Sequence, residues 1–308
     1  MRSHIYLFHR VSPEKSLLWP PLHPKDFERI IRYISKISIP VQLEEWIRNP
    51  IHSERRPITS IVFDDGYKDY LEYALPILER YNVPSSMYII TNCADSGALP
   101  WTHELDYLFE HTKYLAATLD FSDFPKFLQQ TTWHTPEARI MYGRKLKPYL
   151  KNLPRDSVNQ ICHQIRSIFS DVELPQLMMN WDDIRQAQTV GVEIGSHTVT
   201  HSMLSSIEDE SEIRMELSES AATIHKQLGF TPTTISYPIG SYDERVQILS
   251  EQTGYKLGLV VDNRPYNYNN DSLFGVPRIL INTESIPKTF LRMTGIIRLV
   301  KKIMRKPL

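Results

Sequence analysis

The chain of 308 residues carries 35 lysines and arginines against 36 aspartates and glutamates, a formal net charge of −1. A chain this neutral casts no overall field for nucleic acid or another polyanion, and its length suits one large barrel or two average domains. Cys93 and Cys162 stand far apart in neither a disulfide framework nor a zinc-type spacing, and no uninterrupted apolar run approaches the roughly 20 residues that cross a bilayer.

The N-terminus enters a strand-like run at once, without the apolar core and cleavage site of a secretory signal, so a cytoplasmic location is expected. In chain order, short apolar runs at 5–8, 58–63, 86–90, 192–194, 234–237, 257–261 and 276–281 read as strands. They alternate with helical patterns at 26–37, 208–228 and 243–252, which predicts parallel pairing through right-handed crossovers. Seven such strands suggest a barrel or near-barrel. After the second strand, Leu71, Ala74, Leu75 and Leu78 recur at three- and four-residue spacing and predict one buried helix face, with Pro76 bending it.

From about 99 to 186 the alternation stops and the sequence reads as helices, a helical insertion carrying Trp101, Trp133, Trp181 and several tyrosines. Beyond it, the barrel would run to about 285. The last segment, 286–308, holds Lys288, Arg292, Arg298, Lys301, Lys302, Arg305 and Lys306 interleaved with apolar residues. It reads either as a basic amphipathic helix suited to an anionic membrane surface, or as a helix packed on the barrel with a solvated end.

Two stretches carry chemistry. Asp64-Asp65-Gly66 follows the second strand, at the end of a parallel barrel where active sites are built, and Gly66 lets the backbone turn sharply. His197 and His201 follow the fourth strand four residues apart, so a helical turn there would point both rings the same way. Alone, the first is also a common turn sequence and the second a common surface pair. Together, two carboxylates and two imidazoles can hold a divalent metal ion with an open position and deprotonate the water filling it, which points to metal-assisted hydrolysis.

The segments Ile61-Val62-Phe63-Asp64-Asp65-Gly66-Tyr67 and Gly195-Ser196-His197-Thr198-Val199-Thr200-His201 closely resemble the first two motifs of the polysaccharide deacetylases, the NodB-homology group of carbohydrate esterase family 4. Ile235-Ser236-Tyr237-Pro238-Ile239-Gly240 resembles the third motif, and Phe8-His9-Arg10-Val11 the opening strand of one subfamily. The resemblance covers about 1–95 and 180–285. It implies a distorted (β/α)7 barrel that removes N- or O-acetyl groups from sugars. It also implies that Asp65, His197 and His201 hold the metal, most simply Zn2+, that Asp64 is general base on the metal-bound water, and that the Ile239 N–H stabilises the oxyanion. Pro238 and Gly240 would keep that turn rigid, with Tyr237 supporting it.

Two departures from the family pattern stand out. No histidine follows His225 to act as the late general acid, and Ser236 stands where an arginine would brace the base. His9, which ends the first strand and would face the same mouth of the barrel, is the substitute acid, with a structural histidine as the alternative. Arg10 or Arg278 could brace Asp64, or either could be an ordinary ion pair. Trp101 is the aromatic expected to border the cleft and stack on a sugar, unless it is core.

The leading expectation is therefore a metal-dependent deacetylase acting on the N-acetyl group of an amino sugar in a glycan or lipid-linked saccharide, its tail reaching the inner face of the membrane. An O-acetyl esterase or other amidohydrolase is one alternative, and a carbohydrate-binding scaffold without turnover is another. No phosphate-binding glycine loop follows a strand, so no nucleotide is expected.

Overall fold

The structure, a computed structural model, describes residues 2–49, 56–117, 124–129 and 132–294. In chain order the strands are β1 (Arg2–Phe8), β2 (Ile39–Pro40), β3 (Ile58–Phe63), β4 (Ser85–Ile89), β5 (Glu193–Ser196), β6 (Thr234–Ser236), β7 (Leu257–Val261), β8 (Tyr266–Asn267) and β9 (Val276–Leu280). Seven of them, β1, β3, β4, β5, β6, β7 and β9, pair in parallel around a full circle closed by β9 on β1 and β1 on β3. Each of the seven runs read from the sequence supplies one of these strands, and the expected (β/α)7 barrel is what folds. β2 adds to the start of β3, and β8 runs antiparallel to the start of β1.

Successive side chains on a strand point to opposite faces. Ile5, Leu7, Ile58, Val62, Tyr88, Leu257, Leu259 and Val276 fill the barrel with Leu43 and Trp46, while Tyr6, Phe8, Ile61, Phe63, Met87, Ile89 and Ile279 face the surrounding helices. Continuing the same alternation, His9 keeps the parity of Leu7, Asp64 that of Val62, and Arg278 that of Val276. The barrel's own periodicity thus sends those three inward at its C-terminal mouth.

The helices are α1 (Pro24–Ile37), α2 (Leu43–Arg48), α3 (Leu75–Arg80), α4 (Thr91–Ser96), α5 (Trp101–His111), α6 (Pro136–Leu150), α7 (Arg155–Ile168), α8 (Trp181–Thr189), α9 (Glu210–Leu228), α10 (Glu244–Thr253) and α11 (Ile286–Met293). Before α3, a π-helical turn over Tyr70–Ala74 shifts the buried face from the expected one. Tyr70, Ala74, Ile77 and Leu78 are buried, and Leu71 and Leu75 only partly so. The wider turn falls just ahead of Pro76, whose missing N–H a regular helix would have needed. α9 starts on the Asp209 cap and stops at Gly229 in the left-handed region.

α5, α6 and α7 pack around their own core, including Leu105, Phe109, Trp133, Leu146, Ile161 and Phe169. α8 instead joins the barrel through Trp181, Ile184 and Ala187. At the C-terminal end, α11 seats Met293 in the core and Phe290 against Tyr33, and Lys288 and Arg292 both pair with Glu284. The remaining basic residues of the expected tail, Arg298, Lys301, Lys302, Arg305 and Lys306, lie outside the described residues. Among those described, no helix is long and apolar enough to cross a membrane, and both cysteines are free.

Candidate active site and metal centre

Asp64 and Asp65 leave β3 with Asp64 N–H donating to the Phe8 carbonyl at 3.1 Å, so the first aspartate continues the strand. Asp65 (φ 76°) and Gly66 (φ 86°) then take two successive left-handed conformations. This double reversal turns the two carboxylates to different neighbours although they are adjacent in sequence. Gly66 is also pressed against Ile89, where an added Cβ would lie 3.3 Å from its side chain.

The histidine stretch is not a helical turn, as its four-residue spacing suggested. Thr198 (φ 66°) and His201 (φ 61°) are left-handed, and the loop between them bends the chain so that the two rings meet with centroids 4.9 Å apart. Such conformations cost roughly 1–2 kcal/mol per residue, so the loop must be held from outside. α4 holds one side, donating Thr91 and Asn92 N–H groups to the Thr198 and Val199 carbonyls. Glu216, fully buried on α9, holds the other, where one carboxylate oxygen accepts the N–H groups of Val199 and Thr200 at 2.9 Å each. Its second oxygen takes the Thr200 hydroxyl and Arg155 Nη2, the latter at 3.1 Å from the insertion. A glutamate within an amphipathic helix looks like a solvated residue in sequence, so this contact was not foreseen.

Asp65, His197 and His201 come together as expected, with one ligand atom of each within 4.8 Å of the others. Asp65 Oδ1 lies 3.3 Å from His197 Nε2 and 3.4 Å from His201 Nε2, is buried, and has no hydrogen-bond partner among the described residues. His197 Nδ1 is 2.7 Å from the Ser236 carbonyl, which can only accept, so the ring carries its proton there and leaves Nε2 as a lone pair. A buried, otherwise unsatisfied carboxylate oxygen facing two imidazole nitrogens is a fitting donor set for a divalent transition metal such as Zn2+. Burial holds the His201 imidazole down at about 3, in its neutral, ligating form.

Asp64 is held apart from that group. Arg278 Nη1 donates to its Oδ1 at 2.7 Å and the Ser236 hydroxyl to its Oδ2 at 3.0 Å, while His197 Nε2 stays 3.8 Å away. Burial alone would raise this carboxyl, but the Arg278 guanidinium beside it outweighs burial and keeps Asp64 below the usual carboxylate range, hence ionised. Of the two arginines considered as its brace, Arg278 fills the role from inside the barrel. Arg10 does not, because its Nε pairs with Asp69 at 2.8 Å and its guanidinium lies over Tyr67.

His9 is part-buried, and burial lowers its imidazole below the ordinary value against the opposing pull of Asp65 and Asp64. In the third motif, Pro238–Gly240 forms a tight turn with Ile239 left-handed (φ 59°). Its bonds use the N–H groups of Gly240 and Ser241, not that of Ile239. Gly240 (φ 75°) approaches Val261 so closely that a Cβ would lie 3.4 Å from it. Tyr237 is fully buried behind the turn, stacked on Tyr242, so it props the turn and cannot touch a substrate.

Trp101 packs part-buried against the core of the insertion, as does Ile239. Trp19 is the tryptophan beside His9, with its ring 5.8 Å from His9, 5.6 Å from Tyr67 and 5.1 Å from His103. Nothing in the sequence marks Trp19, which stands in a proline-flanked loop without periodicity. Tyr67, at the end of the first motif, and His103, on α5, were not singled out from the sequence, and the Tyr67 hydroxyl is 3.1 Å from His103 Nδ1.

Over 95% of the chain, the fold superposes on the Streptococcus pyogenes deacetylase PplD in complex with acetate (TM-score 0.61, 17% identity, 98% of that chain). It does likewise on a de-N-acetylase from Aggregatibacter actinomycetemcomitans (TM-score 0.58, 16% identity, all of that chain). At such identities the likeness is one of fold. In sequence, 81 residues are 27% identical to the presumptive polysaccharide deacetylase YxkH of Bacillus subtilis (strain 168), a match spanning 26% of this chain and only 29% of that relative. A profile of the polysaccharide deacetylases matches residues 52–258, two thirds of the chain and the stretch that supplies Asp64, Asp65, both histidines and the third-motif turn, and the chain therefore belongs to the polysaccharide deacetylase family.

Proposed function

We propose that the protein is a metal-dependent hydrolase that removes the N-acetyl group from an amino sugar in a glycan or lipid-linked saccharide. The observation carrying this reading is the division of labour between two adjacent carboxylates. Asp65 faces the two imidazole nitrogens, and Asp64 is ionised and held by Arg278 and Ser236.

A divalent cation held by Asp65, His197 and His201, most simply Zn2+, supplies Lewis-acid polarisation of the acetyl carbonyl and an acidified water. Asp64 takes the proton of the attacking water, and Arg278 and Ser236 keep its carboxylate aimed and charged while it does so. The Ile239 N–H, in a turn made rigid by Pro238 and Gly240, is the fixed donor for the oxygen that gains negative charge. His9 delivers a proton to the departing nitrogen. It is neutral at rest, so the proton that Asp64 removes from water is the one it must pass on.

Replacing Asp64 with Asn should cut acetate release from N-acetylated oligosaccharides by about 10²–10⁴-fold. Zinc binding by calorimetry should persist, because the three ligands are intact. Retained turnover in Asp64→Asn would remove the assignment of the base, and a panel of N-acetyl and O-acetyl sugars would separate amide from ester hydrolysis. Contact with an anionic membrane through residues 288–308 belongs to the same proposal. Deleting residues 295–308, which spares the core contacts of Phe290 and Met293 on α11, should release the protein from anionic vesicles.

A further inference from the structure

The insertion turns one side of α6 to solvent. Tyr142, Leu146 and Leu150 point into the insertion core, while Met141, Arg144, Lys145 and Pro148 recur at three- and four-residue spacing along the exposed side. Two segments flank this ridge. On one side Arg144 Nη2 donates to the Leu17 carbonyl at 2.9 Å, which sets Leu17 beside the helix. On the other, residues 124–129 lie along α6, where the Tyr142 hydroxyl donates to the Leu128 carbonyl at 2.8 Å and the Phe124 ring meets that of Tyr149. Lys126 and Phe127 project from that segment into solvent.

Leu17 is 63% exposed, Phe127 56% and Met141 45%, and the first two are the most exposed large apolar side chains among the described residues. Scattered singly, such residues are ordinary surface, but these three cross a single helix face. Arg144, Lys145 and Lys126 stand among them, none with an acidic partner among the described residues, and Glu137 in the first turn is the only acid of α6. The mixture defines the occupant. A soluble polyanion would use the cations and leave Leu17 and Phe127 in water, whereas an anionic bilayer offers phosphates to the cations and an acyl boundary to the apolar tips.

We infer that this face of the insertion docks on an anionic lipid surface, with Leu17, Met141 and Phe127 entering the headgroup boundary. A single contact of this kind binds marginally and reversibly, so it acts with the basic tail as a second attachment to the same surface. Leu17 is two residues from Trp19, whose ring is 5.8 Å from His9, so the face adjoins the mouth of the barrel. Docking there sets the mouth against the bilayer, where a tail alone would leave its orientation free. That use rests on the reading of a lipid-linked saccharide above.

Sedimentation of the full-length protein with vesicles of phosphatidylcholine and phosphatidylglycerol tests the face. Leu17→Ser combined with Phe127→Ser removes apolar surface without changing charge and should weaken partitioning about tenfold. Lys126→Gln combined with Lys145→Gln should weaken it about tenfold as well. Phe127→Trp should keep the parent affinity, with its added emission quenched by brominated acyl chains. Partitioning within twofold of the parent in both double variants, or equal binding to phosphatidylcholine alone, overturns the membrane face. So does a loss that follows the lysines but not Leu17 and Phe127, which marks a soluble polyanion as the occupant. Acetate release from tetra-N-acetylchitotetraose in solution is read separately. If the wild type releases none while its partitioning still depends on Leu17 and Phe127, the deacetylase reading falls and the membrane face stands.

Discussion

Arg278 is a fully buried guanidinium inside a barrel, and its Nη2 has no hydrogen-bond partner among the described residues. Burying a charge this way is costly unless a partner of opposite sign is close by. Asp64 is that partner, and the pairing keeps its carboxylate ionised where burial would protonate it. In Arg278→Met, the interaction that lowers Asp64 is gone and burial remains, so its pKa rises. The acid limb of kcat/KM should move to higher pH, and urea denaturation should show a loss on the order of 3 kcal/mol from the unpaired charge. An unmoved acid limb would show that Asp64 is not the titrating base. From the sequence, Arg278 and Arg10 both stood open as the brace of Asp64; strand alternation puts Arg278 on the inward face with His9 and Asp64 and Arg10 on the other with Phe8, where Asp69, from another loop, captures it.

The loop carrying His197 and His201 shows where local reasoning stops. A spacing of four residues reads as one turn of helix, but here the rings converge through two left-handed residues whose strain is offset by contacts distant in sequence. Among these, the Glu216 carboxylate accepts from two consecutive backbone N–H groups, and it was illegible in advance because a charged residue on an amphipathic helix usually faces water. Glu216→Gln keeps one acceptor oxygen for those N–H groups but removes the charge and sets an NH2 group against Arg155 and the Thr200 hydroxyl. The variant should bind cobalt about tenfold more weakly in a spectroscopic titration, the scale found when outer partners of metal ligands are lost, whereas Glu216→Asp should recover part of the affinity. Equal affinity in the Gln variant would reduce Glu216 to a packing residue.

At the scale of the molecule, the barrel was legible because seven apolar runs alternate with helical patterns, and the insertion because that alternation breaks. How the insertion is joined to the site was not, since its joints are single contacts without periodicity. One of them affects stability. Burial lowers His103, on the first insertion helix, from 6.5 to about 3. Below pH 6.5 the unfolded chain therefore binds a proton that the folded protein refuses. The contribution is complete above 6.5 and is lost as pH falls toward 3, at up to about 1.4 kcal/mol per pH unit. Unfolding free energies at pH 7 and pH 5 should differ more in the wild type than in His103→Asn. An identical difference would show that His103 does not set the slope.

Tyr67 and Met178 form an antiparallel bridge, Gly66 accepts the Met179 N–H at 2.9 Å, Arg155 reaches Glu216, and Met203 and Ile239 pack against the insertion core. The helical segment is thus moored to the loops that carry Asp65, the histidine pair and Ile239. It works as a chassis member rather than an ornament, so lengthening or trimming it would shift all three loops in a single stroke.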